Sequence, residues 1–200
     1  YTNLLDNLKE DYELLHYLLD SDLFYNRFIQ RSAAHLNNTF SSTRIVNIVD
    51  SLSLRIAPEI DRHAFRWSND GGISSAGDWE DELNKIKQFS SNRSSTVVGH
   101  FIEEFNLDGV IELNTTVIPN NSGTILVNGV PVIDSGQDSY YFKNKPVSIS
   151  VIAKPGYEFV GWDNLSDSTN LIYDCITDTN FTAVFESSNH VILPSVISEN

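Results

Sequence analysis

Apolar residues recur every three or four positions through the first half of the chain, with polar residues between them. That spacing puts the apolar side chains on one face of a helix, so it predicts four helices, each with one buried side. Polar residues at 20–22 and 41–42 separate the first three helices, and Asp78 is predicted to cap the fourth. The fourth resumes its period after a serine-rich stretch, which predicts one long helix or two nearly collinear ones reaching Phe105. Pro58 should make the third kink or restart near residues 55–58.

Beyond Gly109 the apolar residues alternate with polar ones, which indicates β-strands separated by turns. Asn128-Gly129 stands between two apolar runs, TILV and VPVI, and predicts a two-residue hairpin turn because Asn and Gly tolerate positive φ. Further turn signals lie at 119–123, 134–136, 143–145 and 163–168.

The stretch AKPGYEFVGW, at 153–162, predicts a turn between two strands. Residues 147–153 alternate at strict period two before the turn, and residues 157–162 alternate after it. The two strands are therefore predicted to pair as a hairpin. Residues 181–185 repeat the alternation, and we expect that strand to lie beside them.

Trp162 follows Tyr157 and Phe159 by an odd number of residues, so a regular strand places its ring on the opposite face. Gly161 has no side chain and leaves room for another backbone to approach. We therefore expect Trp162 to pack on the 163–168 loop or on the helical part.

These patterns predict an α+β fold with two domains, an N-terminal helical bundle followed by a small antiparallel, sandwich-like all-β domain. The helical domain is expected at 1–106 and the β domain at 108–187. Residues 188–200 are expected to be a linker to a missing domain. Several aromatic residues and one glycine are assigned structural roles in this scheme: Trp67, Trp79, Tyr157, Phe159, Gly161, Phe181 and Phe185.

The β part also resembles a known module. An apolar strand, a PGY turn, the FVGW strand and a final strand FTAVFE at 181–186 resemble the divergent internalin-type B-repeats of bacterial surface proteins. The resemblance covers about the last third of the chain and implies a spacer or binding module.

The helical part resembles the C-terminal helical region of CotH family proteins, which are spore-coat and secreted kinase-like proteins. The residues that carry this resemblance are DLFYNRFIQR at 22–31, the pair Arg66-Trp67, and the segment from Trp79 to Arg93. The family's nucleotide-binding lysine and acidic metal ligands would lie upstream of Tyr1, and no position here matches them. The resemblance therefore implies that this stretch alone does not transfer phosphate, and that an intact parent could be an atypical protein kinase.

Charge and composition limit the classes of molecule that the chain can bind. Thirteen basic against 27 acidic residues give a net charge of −14, which repels phosphate backbones and argues against nucleic acid. No run is long and apolar enough to span a membrane. The start at Tyr1 and the absence of Met suggest a piece of a longer precursor, and the single cysteine, Cys175, allows no internal disulfide.

Candidate chemistry is sparse. Tyr140, Tyr141 and Trp162 are candidate ligand contacts, since exposed aromatics on β modules bind sugars, but a small module also needs such rings for its core. The five histidines show no zinc spacing, and no cofactor is expected. Six aspartates in the predicted turns could supply calcium ligands, although turns favour aspartate in any case: Asp134, Asp138, Asp163, Asp167, Asp174 and Asp178.

The interpretation that joins these observations is a non-catalytic C-terminal portion of a secreted or cell-surface, CotH-like bacterial protein. Its β module would serve as a spacer or binding domain. The expected partners are other domains of the same precursor and a cell-surface glycan or protein. The alternative is an adhesion or carbohydrate-binding module with a helical scaffold.

Overall fold

The helices form where the apolar periodicity predicts them. A computed structural model describes residues 3, 5, 13–68, 72–133, 136, 138–163 and 165–188. Four helices occupy the first half of this part of the chain: α1 (Glu13–Leu19), α2 (Asp22–Asn37), α3 (Ser42–Trp67) and α4 (Ala76–Phe105). The long helix α4 is a single element, and α3 continues through Pro58.

Serine side chains begin the two longest helices. The Ser41 hydroxyl accepts a hydrogen bond from the backbone N–H of Arg44, as a cap does. The fourth helix begins one turn earlier than expected, because Ser75 is its cap and accepts from the N–H of Asp78 at 3.1 Å. The Asp78 carboxylate in turn accepts from the backbone N–H of Ser74, so the predicted cap Asp78 lies inside the first turn of the helix.

In the described part of the chain eight strands follow the helices, and they form two four-stranded sheets that pack as a sandwich. The first sheet has the order β4-β1-β8-β6 and the second the order β3-β2-β5-β7. The strands are β1 (Val110–Ile118), β2 (Gly123–Val127), β3 (Val130–Pro131), β4 (Tyr140–Phe142), β5 (Val147–Ala153), β6 (Tyr157–Trp162), β7 (Asn170–Tyr173) and β8 (Thr179–Ser187). The α+β layout with helices before strands is thus confirmed.

The turn chemistry read from Asn128-Gly129 is confirmed. Both residues have positive φ, 51° and 74°, and Val127 pairs with Val130 across them. The two residues form the tight connection between β2 and β3, since Asn and Gly bear positive φ at little cost.

The predicted hairpin of β5 and β6 is wrong. Strand β5 pairs with β2 and β7, while β6 pairs with β8 in the other sheet. The turn at Pro155-Gly156, with φ of 86° at Gly156, therefore carries the chain from one sheet to the other. Turn residues determine where a chain reverses. The alternation of apolar and polar residues in the flanking strands is the same whether the turn joins neighbours in one sheet or connects two sheets, so it does not distinguish them.

One strand pair also departs from the antiparallel expectation. Strands β1 and β8 run parallel through six residue pairs, from Leu113 opposite Thr179 to Ile118 opposite Val184. All other pairs in the two sheets are antiparallel.

A β-bulge reverses the expected direction of Trp162. Phe159 lies opposite Phe185 and Gly161 lies opposite Val184, so Val160 is an extra residue in β6. The bulge brings Trp162 to the same face as Phe159, and their rings are 5.6 Å apart. The prediction that they occupy opposite faces was wrong, because it assumed a regular strand.

The hydrophobic core is continuous from the helices into the sandwich. Ile29 of α2 and Phe101 of α4 belong to the same cluster as Tyr141 and Phe142 of β4. The Phe101 and Phe142 rings stack at 5.6 Å. The helical and β parts thus share a buried interface centred on β4.

Candidate functional site

The three candidate ligand contacts differ in accessibility. Tyr140 is 44% exposed, whereas Tyr141 is fully buried and Trp162 is 2% exposed. Burial also raises the pKa of the Tyr141 hydroxyl well above its usual range. Tyr141 and Trp162 are therefore core residues that no ligand reaches in this fold, and Tyr140 alone of the three presents its ring to solvent.

Trp162 packs on the 163–168 loop, one of the two positions expected for it. Its indole Nε1 donates to the backbone oxygen of Ser168 at 2.8 Å, and its ring also meets Phe181. Gly161 permits this packing, because a Cβ there would lie 3.1 Å from the Ser166 oxygen.

The remaining structural aromatics divide between core and surface. Phe159, Phe181 and Phe185 lie in or against the core, with the Phe159 and Phe185 rings 5.5 Å apart. Trp79 is partly buried, while Trp67 is 44% exposed beneath the Arg66 guanidinium, 5.2 Å from its ring centre. Trp67 thus packs less than its predicted structural role implies.

The junction between α2 and β4 is built by two side-chain amides. Gln30 is fully buried; its Nε2 donates to the Phe142 oxygen at 2.8 Å and its Oε1 accepts from the Phe142 N–H at 3.0 Å. Asn37 makes the same pair of bonds with Tyr140, at 2.9 and 3.2 Å. The edge of β4 is therefore closed by a helix, which protects it from pairing with another strand.

Gln30 also reaches Cys175, whose sulfur lies 3.6 Å from Nε2. Cys175 is fully buried, and this burial raises its thiol pKa to about 12. A thiol in this state is protonated and inert at neutral pH.

A cleft of about 470 Å³ opens where the first half of α2 passes the outer face of the second sheet. Leu23 and Arg27 from α2 form one wall, and Asn128 from the β2–β3 turn with Ser148 from β5 forms the other. Ile172 of β7 also lines the cleft. This cleft lies at the boundary of the helical and β parts.

The cleft carries positive charge in a strongly acidic chain. The Arg31 guanidinium donates to the backbone oxygen of Asn128 at 2.7 Å through one of its five N–H groups. Arg27 is exposed and has no hydrogen bond or ion pair within the described part of the chain. Two arginines therefore lie in one concave surface, and one of them makes no bond within the described part of the chain.

Two side chains that line the cleft each have a buried polar atom without a partner in the described part of the chain. Asn26 Oδ1 and Asn128 Nδ2 are both buried without a hydrogen bond. The orientation of Asn128 is fixed, because its Oδ1 accepts from the Ser148 N–H at 2.9 Å. Leaving such groups unpaired costs about 1–3 kcal/mol each.

The metal candidates that the structure describes do not form a cluster. Asp134 lies outside the described residues, and Asp178 accepts from the Glu112 N–H at 2.8 Å. Among the residues described, no three His, Cys, Asp or Glu side chains cluster as metal ligands do. The described helices also include none with the length and hydropathy of a membrane span.

Sequence reasoning did not identify Gln30, Asn37, Arg27 or Arg31 as important. One signal for Gln30 was present, since it stands between Ile29 and the small apolar pair at 33–34 on the buried side of α2. A polar residue on such a stripe has to find a hydrogen-bond partner. The other three residues give no comparable signal, because their role depends on strands more than 90 residues away.

Comparison with known proteins supports one of the two resemblances. The family model of CotH kinase protein matches residues 3–97, just under half of the chain. The match covers the described helices up to the later part of α4 and ends before β1. No curated protein and no solved structure matches the chain. The CotH-like character of the helical part is thus confirmed over these residues, while the B-repeat-like character of the β part stays a prediction.

Proposed function

We propose that this chain is a non-catalytic C-terminal unit of a secreted or cell-surface, CotH-like bacterial protein. In this proposal the helices complete a kinase-like fold in the parent, and the β sandwich is a binding or spacer module held rigidly to them. An intact parent would then carry any kinase activity.

The observation that carries the proposal is the shared core between the CotH-like helices and the sandwich. Buried Gln30 joins α2 to β4, and the stacked rings of Phe101 and Phe142 join α4 to the same strand. A contact that is buried and hydrogen-bonded on both sides resists relative motion, unlike an exposed linker. The sandwich is therefore presented at a fixed angle to the helices.

A second observation supports the role of the helices within a larger fold. Ile48, Leu52 and Ile56 follow one another at four-residue spacing on α3, and each is about half exposed. Phe65 on the same helix is 92% exposed. Exposed apolar rows of this kind mark surfaces that pack against other protein, and in this proposal the rest of a CotH-like fold packs there.

Backbone nitrogen relaxation tests the rigid attachment. The expected result is one rotational correlation time for amides of α2, α4 and the sandwich. Separate correlation times for the two parts would contradict the proposal, because they would show a flexible tether. Calorimetry with ATP and Mg²⁺ tests the non-catalytic role: no binding is expected, and micromolar binding would contradict it.

The alternative is an adhesion or carbohydrate-binding protein in which the helices are only a scaffold. The exposed ring of Tyr140 beside the α2–β4 junction is the observation that favours it. The coding sequence upstream of Tyr1 discriminates the two. A lysine and paired acidic metal ligands there would favour the kinase-like parent, and their absence would favour the adhesin.

A further inference from the structure

The cleft between α2 and the outer face of the second sheet has the features of a ligand site that the CotH resemblance does not assign. We propose that it binds the carboxylate of an Asp or Glu side chain in an extended peptide, with Arg27 as the main cationic contact. The inference rests on the binding role proposed for the β part.

The charge of the cleft selects a carboxylate. A guanidinium with no partner in the described chain is a ready donor for a planar oxyanion, and charge-assisted bonds are the stronger kind. Arg31 lies one helical turn further along α2 and adds a second positive charge. Since the chain as a whole carries −14, a ligand with many negative charges is repelled, and one carboxylate suits the local field better.

The polar atoms of the cleft fit a peptide. Asn128 Nδ2 is a donor and Asn26 Oδ1 an acceptor, and both lack partners. A peptide backbone brings an acceptor and a donor in each residue, and a small rotation of the Asn26 amide would let its Oδ1 accept from such a donor, while Asn128 keeps its bond to Ser148. The hydroxyl of Ser148, which is exposed, adds a further polar group in the same wall.

The apolar rim argues for a peptide and against a sugar. Leu23 and Ile172 are 80% and 79% exposed at the two sides of the cleft, where aliphatic side chains that flank the acidic residue can cover them. None of the lining residues that the structure describes is aromatic. A site without a ring for stacking is poorly suited to a pyranose face.

Nuclear magnetic resonance titration of the full chain provides the test. The probe is acetyl-Leu-Glu-Leu-amide, with acetyl-Leu-Gln-Leu-amide as its uncharged counterpart. We expect saturable shifts of the Asn128, Gly129 and Ser148 amides with the Glu peptide, at a Kd on the order of 1 mM or tighter. The Gln peptide should bind about tenfold or more weakly, because a bond to a charged group is lost.

The variant Arg27→Gln should weaken binding of the Glu peptide by a similar factor. It should keep the melting temperature, since Arg27 has no partner to lose in the described chain. The matched control is Arg55→Gln, which removes the same charge from an exposed position on α3, outside the cleft, and should leave the affinity unchanged.

Three outcomes would overturn the inference. The first is equal affinity for the Glu and Gln peptides. The second is an equal loss of affinity for the Glu peptide in Arg27→Gln and Arg55→Gln. The third is tighter binding of inorganic phosphate or glucuronate than of the Glu peptide. A failure here is separate from a failure of the proposed function, because rigid attachment is measured by relaxation without any ligand.

Discussion

The side-chain amide of Gln30 occupies the place beside Phe142 that a neighbouring strand would otherwise take. It donates to the Phe142 oxygen and accepts from the Phe142 N–H, as one residue of a β-ladder does for its partner. Asn37, seven residues further along α2, repeats the pairing with Tyr140. A helix thereby completes the edge of a sheet through two side chains.

Replacing Gln30 with Ala should strongly destabilise the chain. The change leaves the backbone N–H and oxygen of Phe142 unpaired in the core, and each lost partner costs about 1–3 kcal/mol. We therefore expect the free energy of unfolding to fall by about 3 kcal/mol or more in a urea titration.

Asn37→Ala is the matched control for that variant, because it removes an equivalent pair of bonds, made to Tyr140 of the same strand. Its bonds to Tyr140 are exposed, so water can replace the lost partner, and the expected cost is under about 1 kcal/mol. Equal losses of unfolding free energy in Gln30→Ala and Asn37→Ala would show that burial of the Gln30 amide does not determine its contribution to stability.

Truncation of Trp162 to Ala should cost about 3–5 kcal/mol, as for other large aromatic residues in cores. Trp162→Phe keeps an aromatic ring in the core but loses the bond from Nε1 to the Ser168 oxygen, so its cost should be smaller. The urea midpoints of the three proteins measure this order, and a wild-type midpoint for Trp162→Ala would contradict the buried position.

Two glycines should respond to alanine in opposite directions. At Gly123 an added Cβ would lie 2.2 Å from the buried ring of Phe185, so Gly123→Ala forces that ring to move and should cost about 1–3 kcal/mol. At Gly99, within α4, a Cβ meets nothing within 4 Å, and Gly99→Ala should stabilise the chain by about 0.5–1 kcal/mol. Thermal unfolding of both variants checks the signs.

The stability of the chain should depend on Cys175 at high pH. Burial raises the thiol pKa to about 12 in the folded chain, whereas an unfolded cysteine titrates near about 8.5. Between these values the unfolded state loses the proton and the folded state keeps it, so this contribution to stability is intact below about pH 8.5 and declines as pH rises.

Urea titrations of wild type and Cys175→Ala, between about pH 8 and 11, check this expectation. The decline with pH should be shallower in the variant, because it has no thiol to ionise. Parallel profiles for the two proteins would show that Cys175 does not contribute.

The sequence predicts local features of this fold well where a residue pattern is compatible with only one backbone conformation. Asn128-Gly129 bears positive φ at both residues, and few other sequences do so cheaply, so the hairpin follows from the dipeptide. The helices α2 to α4 follow similarly from apolar spacing, since only a helix brings such positions together.

The sequence does not determine which strands become neighbours. The turn at Pro155-Gly156 reverses the chain equally well within one sheet or between two, and the structure uses it between two. The bulge at Val160 also cannot be predicted from the alternation of apolar residues. One inserted residue moves every later side chain in the strand to the opposite face of the sheet. The cleft depends on α2 meeting strands 100 residues later, so no local pattern marks it.

The parallel pairing of β1 and β8 determines how the chain would carry mechanical load. The chain enters the sandwich at the start of β1, and β8 leads it out at Ser187 while running in the same direction. Tension applied upstream of Val110 and downstream of Ser187 would pull these two strands along their axes in opposite directions. The bonds between them would be strained together, in shear, and not broken one after another as in a peeled hairpin. A module with this geometry can transmit a pulling force between the segments on either side of it without first coming apart at one end.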